Sequence, residues 1–160
     1  MFTLTIIGSV LFSVGLLMLI QNFNIQSSLS ENYYRLKDKN IGYLFYIYLV
    51  FTSLLLVAPL CEFAGIFGFL SAAGLMFVGA AAAFKDDKTQ RRVHEVGALI
   101  SASGAIATLI KLGTIKYAIY VIPVMLLFAL FTKTIKSSYI FWLEMCAFYS
   151  LFVGLLIFLA

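Results

Sequence analysis

Four residues of this chain are the candidates for covalent or proton chemistry: Ser30, His94, Asp87 and Glu144. Hydrolysis or acyl transfer through a serine requires a hydroxyl nucleophile, a base to take its proton and a third group to orient the base. Ser30 would be the nucleophile, His94 the base, and Asp87 or Glu144 the orienter. His94 and Glu144 would equally suit a proton-coupled carrier, because imidazole titrates near neutrality and an acid inside a membrane marks an ion or proton path. No metal is expected, since His94 is the single histidine and one such ligand makes a poor metal site. No cofactor is expected either.

The elements that must position these residues follow from composition. The chain of 160 residues is 63% hydrophobic, 16% aromatic and only 11% charged, where a soluble domain carries about 25% charged residues. Mean hydropathy is +1.05. At about 20 residues per crossing, this length holds six spans in one membrane domain, 1–160, near 3–20, 41–60, 63–84, 93–110, 116–131 and 138–159. Each is expected to be helical, because lipid offers backbone amides no partners. The expected fold is therefore all-α, a polytopic bundle of six transmembrane helices. The first apolar run has no basic region before it and no small-x-small site after it, so it reads as a retained span rather than a signal peptide. Between the second and third spans, Pro59 and Glu62 frame either a tight turn or a kink. A kinked single helix would leave five spans, but the stretch from Asn40 to Lys85 is about twice what one span needs, which favours six.

Helix texture predicts packing. Ala64, Gly68, Ala72, Gly79 and Ala83 in the third span, and Gly97, Ser101 and Ala105 in the fourth, have small-xxx-small spacing that lets backbones approach. These two spans are expected to form a central hairpin. The second and sixth spans carry many aromatics, which face lipid or fill grooves around a core, with Tyr43, Tyr139 and Trp142 placed to anchor at head-group level. Cys61 and Cys146 fall on different spans with no CxxC or metal spacing and read as small buried hydrophobes.

Charge sets the sidedness. Arg35, Lys37, Lys39, Lys85, Lys88, Arg91, Arg92, Lys133 and Lys136 fall in the first, third and fifth connections, and only Lys111 and Lys116 in the fourth. The positive-inside rule makes the richer side cytoplasmic and places both termini outside, in a plasma or inner membrane. The net charge of +4 thus orients the chain and meets acidic lipid; there is no soluble surface for nucleic acid.

The unusual polar residues gather on this basic face. The stretch Ser27, Ser28, Leu29, Ser30, Glu31, Asn32, Tyr33 and Tyr34 would bind a phosphate or sugar head group, or Ser30 with Glu31 and Asn32 would cap a short interfacial helix. His94 opens the fourth span next to Glu95. Glu144 lies about two turns below the face, where an unpaired carboxylate costs about 2.5 kcal/mol or more. It is expected to be protonated or paired with His94, Tyr139 or Tyr33. The candidate head-group contacts are Ser28, Ser30, Tyr34, Arg91, Arg92 and His94, with membrane lipids as partners and another membrane protein or a second copy as further partners.

Val93-His94-Glu95-Val96-Gly97-Ala98, preceded by Ala83-Phe84 and by Ser28 and Ser30 after the first span, carries a resemblance. The chain resembles the six-span family of the damage-regulated autophagy modulators and the Golgi factor for GPI-anchor lipid remodelling, with its small prokaryotic relatives. In that family a His-x-x-Gly-Ala sequence starts the fourth span, matched here by His94, Gly97 and Ala98. The resemblance implies a lipid-associated membrane organiser without a common enzymatic chemistry. It also places the first connection on the non-cytoplasmic side, opposite to the charge count followed here. The function expected is that of a non-enzymatic, lipid-associated or partner-binding membrane protein, the alternatives being the Ser30/His94 lipid hydrolase or transferase and the Glu144 carrier.

Overall fold

The computed structural model describes residues 1–81 and 88–160, and every regular element in them is helical. In order these are α1 (Phe2–Phe23), α2 (Asn32–Lys37), α3 (Tyr43–Ala64), α4 (Ile66–Ala81), α5 (Lys88–Lys111), a 3₁₀ turn (Ile115–Tyr117), α6 (Ala118–Phe131) and α7 (Tyr139–Leu159). Among the described residues, four helices are long and apolar enough to cross a membrane: α1, α3, α7 and the Arg92–Lys111 part of α5. Ile66–Ala80 and Ile115–Phe131 are shorter apolar stretches. The 16 residues of α4 rise about 24 Å, short of a hydrocarbon core of roughly 30 Å. The outward surface is apolar, with Leu99, Ile119, Tyr120 and Phe131 between 69% and 82% exposed, as suits a membrane-embedded bundle and not a surface in water.

Helix directions can be read from residue pairs. Leu60, Ser53 and Leu49 of α3 meet Gly68, Ala72 and Gly79 of α4 in reverse order, so the two are antiparallel. The stretch around Pro59 is therefore not one kinked helix. Pro59 is accommodated within α3, and the reversal comes at Gly65, whose φ of +63° suits glycine. Phe67, Ser71 and Phe77 meet Gly104, Ser101 and Gly97 of α5 in the same reversed sense, and Gly8 and Gly15 of α1 meet Leu56 and Tyr48 of α3. The last turn of α1, the start of α3, the end of α4 and the starts of α5 and α7 thus share one end of the bundle. That is the end where the basic connections gather.

At the opposite end, one of the two minority-side lysines has a structural task. Lys111 Nζ donates to the Ala64 carbonyl at 3.1 Å, a cation on the last turn of α3 beside the Gly65 reversal. Lys111→Met should lower stability by about 1 kcal/mol, read as a lower unfolding midpoint in detergent, with Lys111→Arg retaining most of it. An unchanged midpoint in the methionine variant would remove this capping role.

The small residues divide between two seams. Gly68, Ala72 and Gly79 face α3 rather than α5, and the side of α4 toward α5 is formed by Phe67, Ser71, Gly74 and Val78. On α5, Gly97 and Ser101 lie in the seam as expected, joined by Gly104. The α4–α5 hairpin therefore forms, but α4 is a flank held mainly between α3 and α5. Two serines join the backbones: Ser101 Oγ donates to the Ser71 carbonyl at 2.9 Å and Ser53 Oγ to the Ala72 carbonyl at 2.6 Å.

Aromatics fill the centre. Phe12, Phe45, Phe141 and Phe152 are almost wholly buried, and Phe12 packs on Tyr48, Phe148 and Phe152. Tyr43 and Tyr139 point outward as anchors should. Trp142 does not: it is 9% exposed and its indole N–H donates to Thr134 Oγ1 at 3.0 Å, so it ties α7 to the connection before it. Cys61 and Cys146 are free and half-buried.

Candidate functional site

The first connection is a folded cap. After α1, Asn24 turns the chain with φ +61°, and the segment then lies against the start of α7. The first N–H groups of a helix have no partner inside it. The Phe141 N–H finds one in the Ser27 carbonyl at 3.1 Å. One turn further on, the Glu144 carboxylate accepts the Leu29 backbone N–H at 2.7 Å, across 115 positions of sequence. Leu29 itself is fully buried, so an apolar side chain in a run of serines is the plug that seats the cap. Asn32 is 2% exposed and donates through Nδ2 to the Leu29 carbonyl at 3.0 Å. Both polar groups of the Leu29 backbone are therefore held by side chains.

The expected interfacial helix is present as α2, but Ser30 does not cap it. The residue preceding α2 is Glu31, and the Ser30 hydroxyl is paired with Ser28 Oγ at 3.1 Å. Tyr33 is buried under the cap, stacked on Tyr46 at 5.2 Å and edge-on to Tyr34 at the same centroid distance. Aromatic packing thus glues α2 to the first turn of α3. The exit is a Schellman turn, with Ile41 N–H on the Leu36 carbonyl, Asn40 N–H on the Lys37 carbonyl, and Asn40 at φ +59°.

His94 is hydrogen-bonded to the backbone of Val78, so its ring N–H donates across the α4–α5 seam. Its Nδ1 is buried with no partner. The expected pairing of Glu144 with His94, Tyr139 or Tyr33 is corrected: the carboxylate is bound by the Leu29 amide, and His94 by Val78. The Ser30 hydroxyl is paired with Ser28 and not with His94, whose ring bonds Val78 through one nitrogen and leaves Nδ1 without a partner. Asp87 lies outside the described residues, as does the side chain of Arg91. Arg92 is exposed and stands at an apolar groove of about 400 Å³ lined by Phe77, Val96 and Ile100. Among the described residues there is no cluster of His, Cys, Asp and Glu that would hold a metal.

The roles of Leu29 as the plug and of Asn32 as its clamp do not follow from the hydroxyl-rich patch that contains them. The signal for Leu29 was one large apolar residue inside a hydroxyl-rich run, and for Asn32 its place three residues later, on the same face of a helical turn. Asn32 Oδ1 is also buried with no partner, an open acceptor beneath the cap. No family model, no curated protein and no solved structure matches the chain.

Proposed function

We propose that this is a six-span membrane protein without catalytic chemistry of its own, whose cap presents a preformed surface to lipid head groups on the cytoplasmic face. The observation that carries the reading is the cap's docking on α7 through Leu29 and Glu144, because it fixes a hydroxyl-bearing surface at the end of an apolar bundle. Ser28, Ser30 and Tyr34 contact the head group from the cap, with the exposed Arg92 at the start of α5 as a further cation. In this reading α4 and α6, with their flanking turns, complete the six crossings, the nine basic residues face the cytoplasm of a plasma or inner membrane, and both termini lie outside. A lipid-associated role is also what the resemblance to the autophagy-modulator and GPI-remodelling family implies.

Trp142 is the single tryptophan and sits on the turn of α7 that carries the cap, so its fluorescence reports on lipid there. In nanodiscs at equal mole fraction, chain-brominated phosphatidylglycerol and phosphatidylcholine should quench it unequally, and Ser28→Ala/Ser30→Ala should remove the difference. Equal quenching by both lipids in the unmodified protein would contradict head-group selection and turn the face over to a protein partner.

A further inference from the structure

Between α1 and α3, at the basic end of the bundle, lies a second apolar groove of about 300 Å³. Its floor depends on Gly15, where a Cβ would run into the ring of Tyr48. With glycine there, that ring lies across α1, pinned by the Tyr48 hydroxyl donating to the Phe12 carbonyl at 2.6 Å. Met18 and Leu44 form walls and are 59% and 43% exposed, so the groove opens outward to the membrane. From Gly15 to Phe23, α1 rises about 12 Å, close to the roughly 15 Å of hydrocarbon in one leaflet.

The groove ends on a cation. Lys39 lines it at the basic end, with its ammonium 4.7 Å from the Phe23 ring centroid. The Schellman turn at Asn40 sets its backbone there, and the side chain is exposed. An apolar slot one leaflet deep, ending on an exposed ammonium, matches a molecule with a long alkyl chain and an anionic end.

We propose that this groove holds one acyl chain of an anionic phospholipid, with the lipid phosphate on Lys39. The site rests on the membrane placement proposed above but uses none of the cap hydroxyls. A free phosphate would have no use for the apolar walls. A zwitterionic lipid would fill the slot with little dependence on Lys39.

The test uses the full chain in phosphatidylcholine nanodiscs containing a small fraction of phosphatidylglycerol with a photoactivatable diazirine in mid-chain. After irradiation and peptide mapping, adducts should concentrate on residues 15–23 and 41–48. Lys39→Gln should reduce them about fivefold, the weight of one interfacial lysine on anionic lipid. Leu44→Trp, which fills the slot from an exposed position, should disperse them. A phosphatidylcholine probe should show no dependence on Lys39. Ser28→Ala/Ser30→Ala should leave the adducts unchanged, which separates this site from the cap. Adducts spread evenly over the lipid-facing surface, or a yield unaffected by both Lys39→Gln and Leu44→Trp, would overturn the proposal while leaving the Trp142 experiment on the cap to stand or fall separately.

Discussion

Gly74→Ala should destabilise the bundle by about 3 kcal/mol, the upper end of the usual cost of overpacking. A Cβ at this position would stand 2.5 Å from the Ser101 nitrogen and 2.7 Å from the Gly97 carbonyl oxygen. Both are backbone atoms of α5, so no side chain can rotate away, and the helices must separate. Separation also lengthens the Ser101–Ser71 hydrogen bond and the His94–Val78 contact that join the same pair. The comparison is Gly79→Ala, where the nearest atom is Leu49 Cβ at 3.0 Å, so α3 and α4 need yield only by a few tenths of an ångström. That variant should lose less than about 1 kcal/mol. Unfolding midpoints in detergent check both, and equal losses in the two variants would show that the α4–α5 seam is looser than described.

The second large effect is at Glu144. Glu144→Ala should cost about 2 kcal/mol, because it leaves the buried Leu29 N–H with no acceptor. For a chain of this size that corresponds to about 4–8 °C in the unfolding midpoint. Glu144→Gln keeps an oxygen at the same place and should recover most of the loss. The local consequence is more diagnostic than the midpoint. In the alanine variant, amide hydrogen exchange should rise across residues 27–37 while α4 and α5 stay protected, because this carboxylate holds the cap and not the helix seam. A uniform rise in exchange, or none in the cap, would mean that Glu144 serves the bundle in another way.

These two positions also show what the sequence makes legible and what it does not. Gly74 belongs to a helix whose small residues announce close packing, and an α4–α5 hairpin follows from them. The partner of each glycine does not follow, since a helix with small residues on two sides has two seams, and spacing alone does not say that Gly68 and Gly79 meet α3 while Gly74 meets α5. Glu144 was conspicuous as an acid deep in an apolar span. Its partner was not, because a backbone amide has no signature in the sequence and the contact spans 115 positions. The same limit applies to Trp142, whose place near a helix end suggests an interfacial anchor although its N–H is taken by Thr134. His94 was singled out for its chemistry, yet its ring lies in a helix seam with one nitrogen unengaged. The charge pattern is the most legible feature. Basic residues cluster by connection, and the antiparallel pairs α1–α3, α3–α4 and α4–α5 bring the ends that bear them together.

A cap seated by Leu29, a hydroxyl pair at Ser28 and Ser30, and Arg92 beside an apolar groove place polar groups next to outward-facing apolar surface, where the proposed head-group contact lies. The measurement that tests this most directly is mass spectrometry of the lipids retained through gentle detergent purification, for the unmodified protein, Ser28→Ala/Ser30→Ala and His94→Ala. The account predicts one head-group class enriched over the host membrane in the unmodified protein and reduced toward the membrane average in the serine variant. Retained lipid that mirrors the host membrane in all three proteins would contradict it.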